Sequence, residues 1–212
     1  LAPGAVISIP PQDALPPLTE SLTISAWILK RSSDRVHAIL CKGRHPNPLQ
    51  FLFAIWGTHP VFCCKQPDQS GWRGLHPTGA LYGNTVSYAK DEWVPPGATP
   101  EVGTGMWSQI AVSFDRGRVR MYRDGALVAE KQSGDAILQR ADSPLYVGTE
   151  KVTGETDNLR NADMLLNDLR IYAKPLSTPQ INAIYQEERA KYPREKLTLA
   201  DNFSYLGMGK GY

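Results

Sequence analysis

The stretch from Trp107 to Lys131, WSQIAVSFDRGRVRMYRDGALVAEK, constrains the fold more than any other part of this chain. Its first run, residues 107–115, alternates along its whole length. Trp107, Gln109, Ala111 and Ser113 fall on one side; Ser108, Ile110, Val112 and Phe114 fall on the other. That period of two belongs to a strand with one face in a core. Arg116-Gly117 breaks the run, RVRMYR alternates again, Asp124-Gly125 breaks it a second time, and ALVAEK follows. Asp-Gly favours the type I′ turn, whose twist matches that of antiparallel strands. The segment is therefore expected to be a three-stranded meander.

The rest of the chain has the same texture. Residues 5–10 (AVISIP), 22–29 (LTISAWIL), 37–42 (HAILCK), 50–56 (QFLFAIW), 61–65 (VFCCK), 144–148 (PLYVG) and 164–172 (MLLNDLRIY) read as strands. One helix is expected after Pro175-Leu176. Ser177 stands as its N-cap, Gln180 in capping-box position, and Pro179 in the first turn, where a missing N–H costs little. Ile181, Ile184 and Tyr185 give it one apolar face, with Glu187, Glu188 and Arg189 assigned to the opposite, solvated side. Ten or more strands and one late helix point to an all-β, two-sheet antiparallel sandwich with a short C-terminal amphipathic helix.

Residues 66–105 differ in composition. Seven of the 18 glycines and five of the 17 prolines fall there, so long loops with one strand near residues 85–89 are expected. Long loops on a rigid scaffold commonly carry binding groups. Residues 1–192 are read as one sandwich domain and 193–212 as an edge strand or linker.

Several functions are disfavoured. The net charge is +2 and no basic run stands out, so nucleic acid is a poor partner. No apolar run approaches the roughly 18–20 residues of a membrane span. Leu1 to Gly4 carry neither a basic start nor an apolar stretch, so no signal peptide is read there. The cysteines, Cys41, Cys63 and Cys64, are odd in number and lack C-x-x-C spacing, and His37, His45, His59 and His76 are scattered, which speaks against zinc. Adjacent Cys63 and Cys64 point to opposite faces of a strand, so at most one of them faces Cys41. Free buried thiols and one disulfide to Cys41 both remain open.

SLTISAWIL, WSQIAVSFDRGRVRMYRDGALVAE, PLYVG and NDLRIYAKPLSTPQINAIY occur in that order over roughly residues 5–190. This resembles the laminin-G-like jelly-roll family within the concanavalin A-like lectin/glucanase superfold. Residues 66–105 look like an insertion relative to its compact pattern. The resemblance implies a jelly roll that binds carbohydrate or protein rather than catalysing, as one module of a larger extracellular or cell-envelope polypeptide. Glycan, an envelope protein and other domains of the same polypeptide are the partners it suggests. It also implies calcium as the cofactor of metal-binding members, held partly by an acid before the first strand and two acids before R-I-Y. Here those positions read Pro3-Gly4-Ala5 and Asn167-Asp168. Asp168 and the Asn167 carbonyl are what this chain offers; pairing of Asp168 with a nearby base is the alternative. No other cofactor is suggested.

Glycoside hydrolysis needs two carboxylates flanking the scissile bond. Glu155-Thr156-Asp157 begins like the hydrolase strand motif, but Asn158, Leu159 and Arg160 follow it. Asp91 and Glu92 diverge on a strand. A carbohydrate-active enzyme with its site in the 66–105 insertion is the rival reading, since Arg73, His76, Tyr82 and Asn84 supply lyase-type side chains there. A structural domain packing on a catalytic neighbour is the third. A sugar site needs an aromatic platform with polar edges. Trp27 and Trp107 are assigned to the core. Trp56, Trp72 and Trp93, with Arg73, His76, Tyr82 and Asn84, are the ligand-binding candidates, and Arg44 and His45 flank the same rim. Arg116, Arg118 and Arg120 share a face that suits either an anionic glycan or plain solvation.

Overall fold

The computed structural model describes residues 5–11, 18–33, 36–43, 49–64, 73–75, 92–93, 101–132, 137–150 and 161–193. Two antiparallel sheets stack face to face. The first runs in the order β1 (Ile7–Ile9), β11 (Leu145–Val147), β3 (Val36–Gly43), β4 (Leu49–Trp56), β5 (His59–Cys64), β6 (Arg73–Leu75). The second runs β12 (Met164–Tyr172), β2 (Ser21–Lys30), β8 (Trp107–Asp115), β9 (Arg118–Arg123), β10 (Ala126–Gln132), β7 (Glu92–Trp93). This is the jelly-roll sandwich that the strand spacing predicts.

The alternation of β8 is realised as expected. Ile110, Val112 and Phe114 enter the core between the sheets with Ile24, Ile28, Phe51, Phe53 and Phe62. Both meander turns have their two central residues at positive φ: Arg116 and Gly117 at 41° and 89°, Asp124 and Gly125 at 50° and 77°. That is the type I′ pattern.

The helix α1 (Thr178–Glu188) covers the outer face of the second sheet, followed by a single 3-10 turn at Arg189–Lys191. Ser177 is its N-cap, and the Gln180 side chain reaches back to accept the Ser177 N–H at 2.9 Å. Ile181 and Tyr185 are buried with Ala111 and Tyr122 and with Trp27, Leu29, Trp107 and Leu165 respectively. Trp27 and Trp107 are thus core residues, but of the layer under the helix, not of the layer between the sheets. Thr23 fixes the approach to the helix: its hydroxyl donates to the Lys174 carbonyl and accepts the Leu176 N–H, each at 2.8 Å.

Glu188 departs from the expectation of a solvated side. It is 1% exposed. At 100° per residue, position 188 returns to the azimuth of Ile181, so the carboxylate lies on the buried stripe. Trp27 and Arg170 pair with it there.

The crossover contributes an edge strand to each sheet, β6 beside β5 and β7 beside β10. The strand expected near residues 85–89, and the tail from 194 to 212, lie outside the described residues.

None of the three cysteines forms a disulfide. Cys41 pairs across to Leu52, which pairs on its other side with Cys63. Two strand spacings, about 9–10 Å, separate the two thiol-bearing backbones, beyond the roughly 7 Å limit for a disulfide. Cys64 faces the opposite way, into the core between the sheets.

Candidate functional site

The outer face of the first sheet is apolar. Ala38, Cys41, Leu52, Ala54, Val61 and Tyr146 lie on it, with Val36, Trp56 and Cys63 at its partly buried margin. Among the described residues the one α-helix packs on the other sheet. Ala38, Cys41, Leu52, Ala54, Val61 and Tyr146 are each at most 8% exposed, so most of this face is buried and only its margin reaches solvent.

One end of this face is built by the β4–β5 hairpin. Gly57 and Thr58 form its two-residue turn, with Gly57 at φ +58°. Such a turn makes Trp56 and His59 directly opposite partners, with both side chains on the outer face; Val36 is the partner of Trp56 on the other side. Trp56 is half-buried. The return of the crossover adds Glu101: its carboxylate stands 3.7 Å from His59 Nε2 and is 58% exposed. Backbone bonds fix that approach. The Val102 N–H donates to the Thr58 carbonyl at 2.6 Å, and the Gly105 N–H donates to the Lys30 carbonyl at 2.8 Å.

Lys30 lies beneath the turn, wholly buried, and its ammonium donates to the Gly57 carbonyl. Burial pulls its pKa down to about 8. His59 is also lowered from its ordinary value, chiefly by burial and further by the Lys30 charge, against the opposing pull of Glu101. At neutral pH the cluster thus presents an indole, a neutral imidazole and a carboxylate. His59 Nδ1 lies 3.1 Å from the Thr58 hydroxyl and its Nε2 faces Glu101, so the exposed Glu101 carboxylate is the acceptor that this cluster turns to solvent near the half-buried indole.

Of the residues singled out in the sequence, Trp56 is at the centre of this cluster. Arg73 and Trp93 occupy the two crossover edge strands, Arg73 in register with Cys64 and Trp93 in register with Glu130. Trp72, His76, Tyr82, Asn84, Arg44 and His45 lie outside the described residues, as do Asp91, Glu155 and Asp157. His59 and Glu101 were not expected. The signal for His59 was present: a two-residue Gly-Thr turn obliges the residues flanking it to pair.

Asn167 and Asp168, the calcium candidates, sit at a bulge in β12, where register shifts between Asn167 and Arg170 and Asp168 takes φ 44°. The Asn167 side-chain oxygen accepts the Asp168 N–H at 3.0 Å. The Asp168 carboxylate accepts the Tyr192 hydroxyl at 2.7 Å and lies 3.8 Å from the Lys191 ammonium. It meets a neighbouring base and anchors the segment after α1. Among the described residues no group of three or more His, Cys, Asp or Glu side chains is placed to hold a metal ion.

The arginine row is paired along its length. Arg120 donates to Glu130 at 2.5 Å, Arg118 to Gln132 at 2.8 Å and Arg116 to Glu20 at 3.3 Å. Glu130 and Gln132 lie on β10 and Glu20 just before β2, so the row ties neighbouring segments together.

A sequence model described as the concanavalin A-like lectin/glucanases superfamily, of the laminin-G type, matches residues 3–182. The chain belongs to this superfamily. No curated protein matches it significantly. Among solved structures, domain 4 of an extracellular arabinanase from Geobacillus stearothermophilus, in complex with arabinotriose, superposes with a TM-score of 0.59 at 17% identity, covering 88% of this chain and 75% of that one. The binding domain of botulinum neurotoxin serotype D gives 0.52 at 18% identity, covering 80% and 37%. That of neurotoxin DC, in complex with SialylT, gives 0.51 at 17%, covering 79% and 35%. The chain therefore spans little more than a third of the toxin chains it matches. At these identities the likeness is one of fold, and it agrees with the superfamily's two-sheet sandwich. No helix among the described residues is long and apolar enough to cross a membrane.

Proposed function

We propose that this chain is a non-catalytic glycan-binding module of a larger extracellular or cell-envelope polypeptide. The observation that carries the reading is the half-buried Trp56, paired with His59 and flanked by Glu101, at one end of an apolar sheet face. A sugar ring stacks its C–H face on the indole while the exposed Glu101 carboxylate accepts from its hydroxyls. The hairpin and the crossover return are already joined by backbone hydrogen bonds, so little ordering entropy is lost on binding. The arabinanase domain solved with arabinotriose and the toxin domain solved with SialylT support a glycan as the ligand class. The former is one domain of an extracellular enzyme, which supports a module carried beside other domains.

The test is a glycan array followed by calorimetry on wild type and Trp56→Ala, with and without calcium. Loss of the aromatic platform is expected to weaken the best ligand by at least about tenfold, in the range of a buried aromatic anchor. Calcium is not required by this geometry, so chelation is expected to leave binding unchanged. Absence of any glycan binding, or a Trp56→Ala variant that binds like wild type, would remove the reading.

A further inference from the structure

We infer that Lys30 is a positioning residue for the Trp56 platform: reaching from the second sheet through the end of the sandwich, its side chain holds the turn that carries the indole. This rests on the reading of Trp56 as a sugar platform and adds the residue on which its placement depends. Lys30 ends β2 on the alternation that sends Leu22, Ile24, Ala26 and Ile28 into the core between the sheets. Its side chain enters that layer and is wholly buried. Across the layer its ammonium donates to the carbonyl of Gly57, the residue that follows Trp56. The Lys30 backbone meets the crossover return: it bridges to Thr104, and its carbonyl accepts the Gly105 N–H at 2.8 Å. The return is bonded in turn to the hairpin, where the Val102 N–H donates to the Thr58 carbonyl at 2.6 Å. Turn, return and β2 therefore form a closed ring of hydrogen bonds, and Lys30 enters it twice, through its ammonium and through its carbonyl.

An ammonium in a core layer carries a desolvation cost that an apolar side chain does not. What it adds is a charge-assisted bond to a turn carbonyl, roughly twice as strong as a neutral one. That bond is titratable. Burial disfavours the charged form, so Lys30 releases its proton near pH 8. Met164 of β12 is its partner in register, and Thr104 its partner on the crossover; both are uncharged. From the hairpin, His59 feels the Lys30 charge, and Glu101 stands beyond it at 3.7 Å from Nε2. His59 is lowered from its ordinary 6.5, so it is already neutral where Lys30 titrates. As pH rises through 8 the neutral amine donates more weakly, and the turn under Trp56 loosens.

The experiment incorporates 5-fluorotryptophan and follows the fluorine resonance of Trp56, assigned with Trp56→Phe, between about pH 7 and 9.5. Wild type, Lys30→Met and Lys30→Arg are compared, with Trp27 under α1 as the internal reference. The wild-type Trp56 line is expected to shift with a midpoint near 8 while Trp27 stays in place. In Lys30→Met the shift is expected to vanish. In Lys30→Arg, whose cation persists at alkaline pH, the line is expected to stay near its neutral-pH position. The glycan array is repeated at both ends of the range. Glycans that depend on Trp56 are expected to weaken about two- to fivefold at high pH in wild type, and less than about twofold in Lys30→Arg. A wild-type Trp56 line that does not titrate, that titrates equally in Lys30→Met, or that moves together with Trp27 overturns the positioning role, whatever the protein binds. A line that titrates as described in a protein that binds no glycan upholds the role of Lys30 and overturns the sugar reading alone.

Discussion

The Trp27 indole N–H donates to the Glu188 carboxylate at 2.8 Å, joining two residues 161 positions apart. Trp27 lies in the second sheet and Glu188 at the last turn of α1, so this bond fastens the helix to the sheet. Tyr192 stacks on the same indole with ring centroids 4.1 Å apart, and Tyr185 at 5.7 Å. Arg170 pairs with the other carboxylate oxygen. Glu188→Ala strands the indole N–H and leaves Arg170 without its carboxylate. Urea denaturation is expected to show a loss of about 2–4 kcal/mol, less than for a wholly enclosed pair because Arg170 is 35% exposed. A double Arg170→Met, Glu188→Met variant is expected to recover part of that loss, since two apolar side chains leave no orphaned charge. A Glu188→Ala variant as stable as wild type would show that the carboxylate does not hold the helix down.

Gly125 is set by two demands at once. Its φ is +77°, and an added Cβ would stand 2.9 Å from the Tyr185 Cβ and 3.0 Å from Asn182 Nδ2. The turn between β9 and β10 is pressed against α1, so relaxing one contact tightens another. Gly125→Ala is expected to cost about 1–3 kcal/mol, combining left-handed strain with overpacking. The same substitution at Gly103, where an added Cβ meets only the flexible end of Met106 at 3.4 Å, is expected to cost much less. Equal midpoints for the two variants in thermal melts would contradict the close packing of turn and helix.

These two contacts also show where the sequence stops being informative. The type I′ turn at Asp124-Gly125 is legible because strand twist and positive φ are local requirements. The N-cap at Ser177 is legible for the same reason. Glu188 is not, because a charged residue near a helix end looks solvated until Trp27 and Arg170 arrive from distant strands; only its return to the azimuth of Ile181 hints otherwise. The binding cluster divides in the same way. Trp56 announces itself as an aromatic residue at a strand end, and His59 follows from the two-residue turn. Glu101 does not, since its place depends on one long-range backbone bond between Val102 and Thr58. Asn167 and Asp168 carry a sequence signal that fits a cation or a bulge equally, and the Tyr192 and Lys191 partners come from the chain beyond the helix.

The cysteines give a direct chemical test of register. Burial, with the Glu150 charge adding to it, pushes the Cys63 thiol up to about 12. At pH 8 this leaves about a thousandfold less thiolate than an ordinary cysteine holds. Thiol titration in denaturant under non-reducing conditions is expected to count three free groups, and the native protein is expected to react far more slowly. A mass two units lower, with fewer than three reactive groups, would mean that β3 and β5 are not separated by β4 as described.

Lys30 should reveal itself in the pH dependence of stability. Its pKa is about 8 in the folded protein and near 10.5 when unfolded. Below pH 8 both states hold the proton, and the buried ammonium is a standing cost. Between about 8 and 10.5 the unfolded chain keeps a proton that the folded chain has released, so stability rises with pH, by up to about 1.4 kcal/mol per unit. Lys42, also lowered by burial, acts in the same direction. Cys63 and Tyr122 act oppositely, because both are raised on folding and lose stability once their unfolded counterparts ionise. The comparison is therefore between wild type and Lys30→Met, which share those other groups. From pH 7.5 to 9 the urea midpoint of the wild type is expected to climb relative to that of the variant, with the two curves converging toward alkaline pH if the variant starts higher. Parallel profiles across that window would mean that the Lys30 amine does not change its protonation on folding, and that the turn above it is not held by a buried cation.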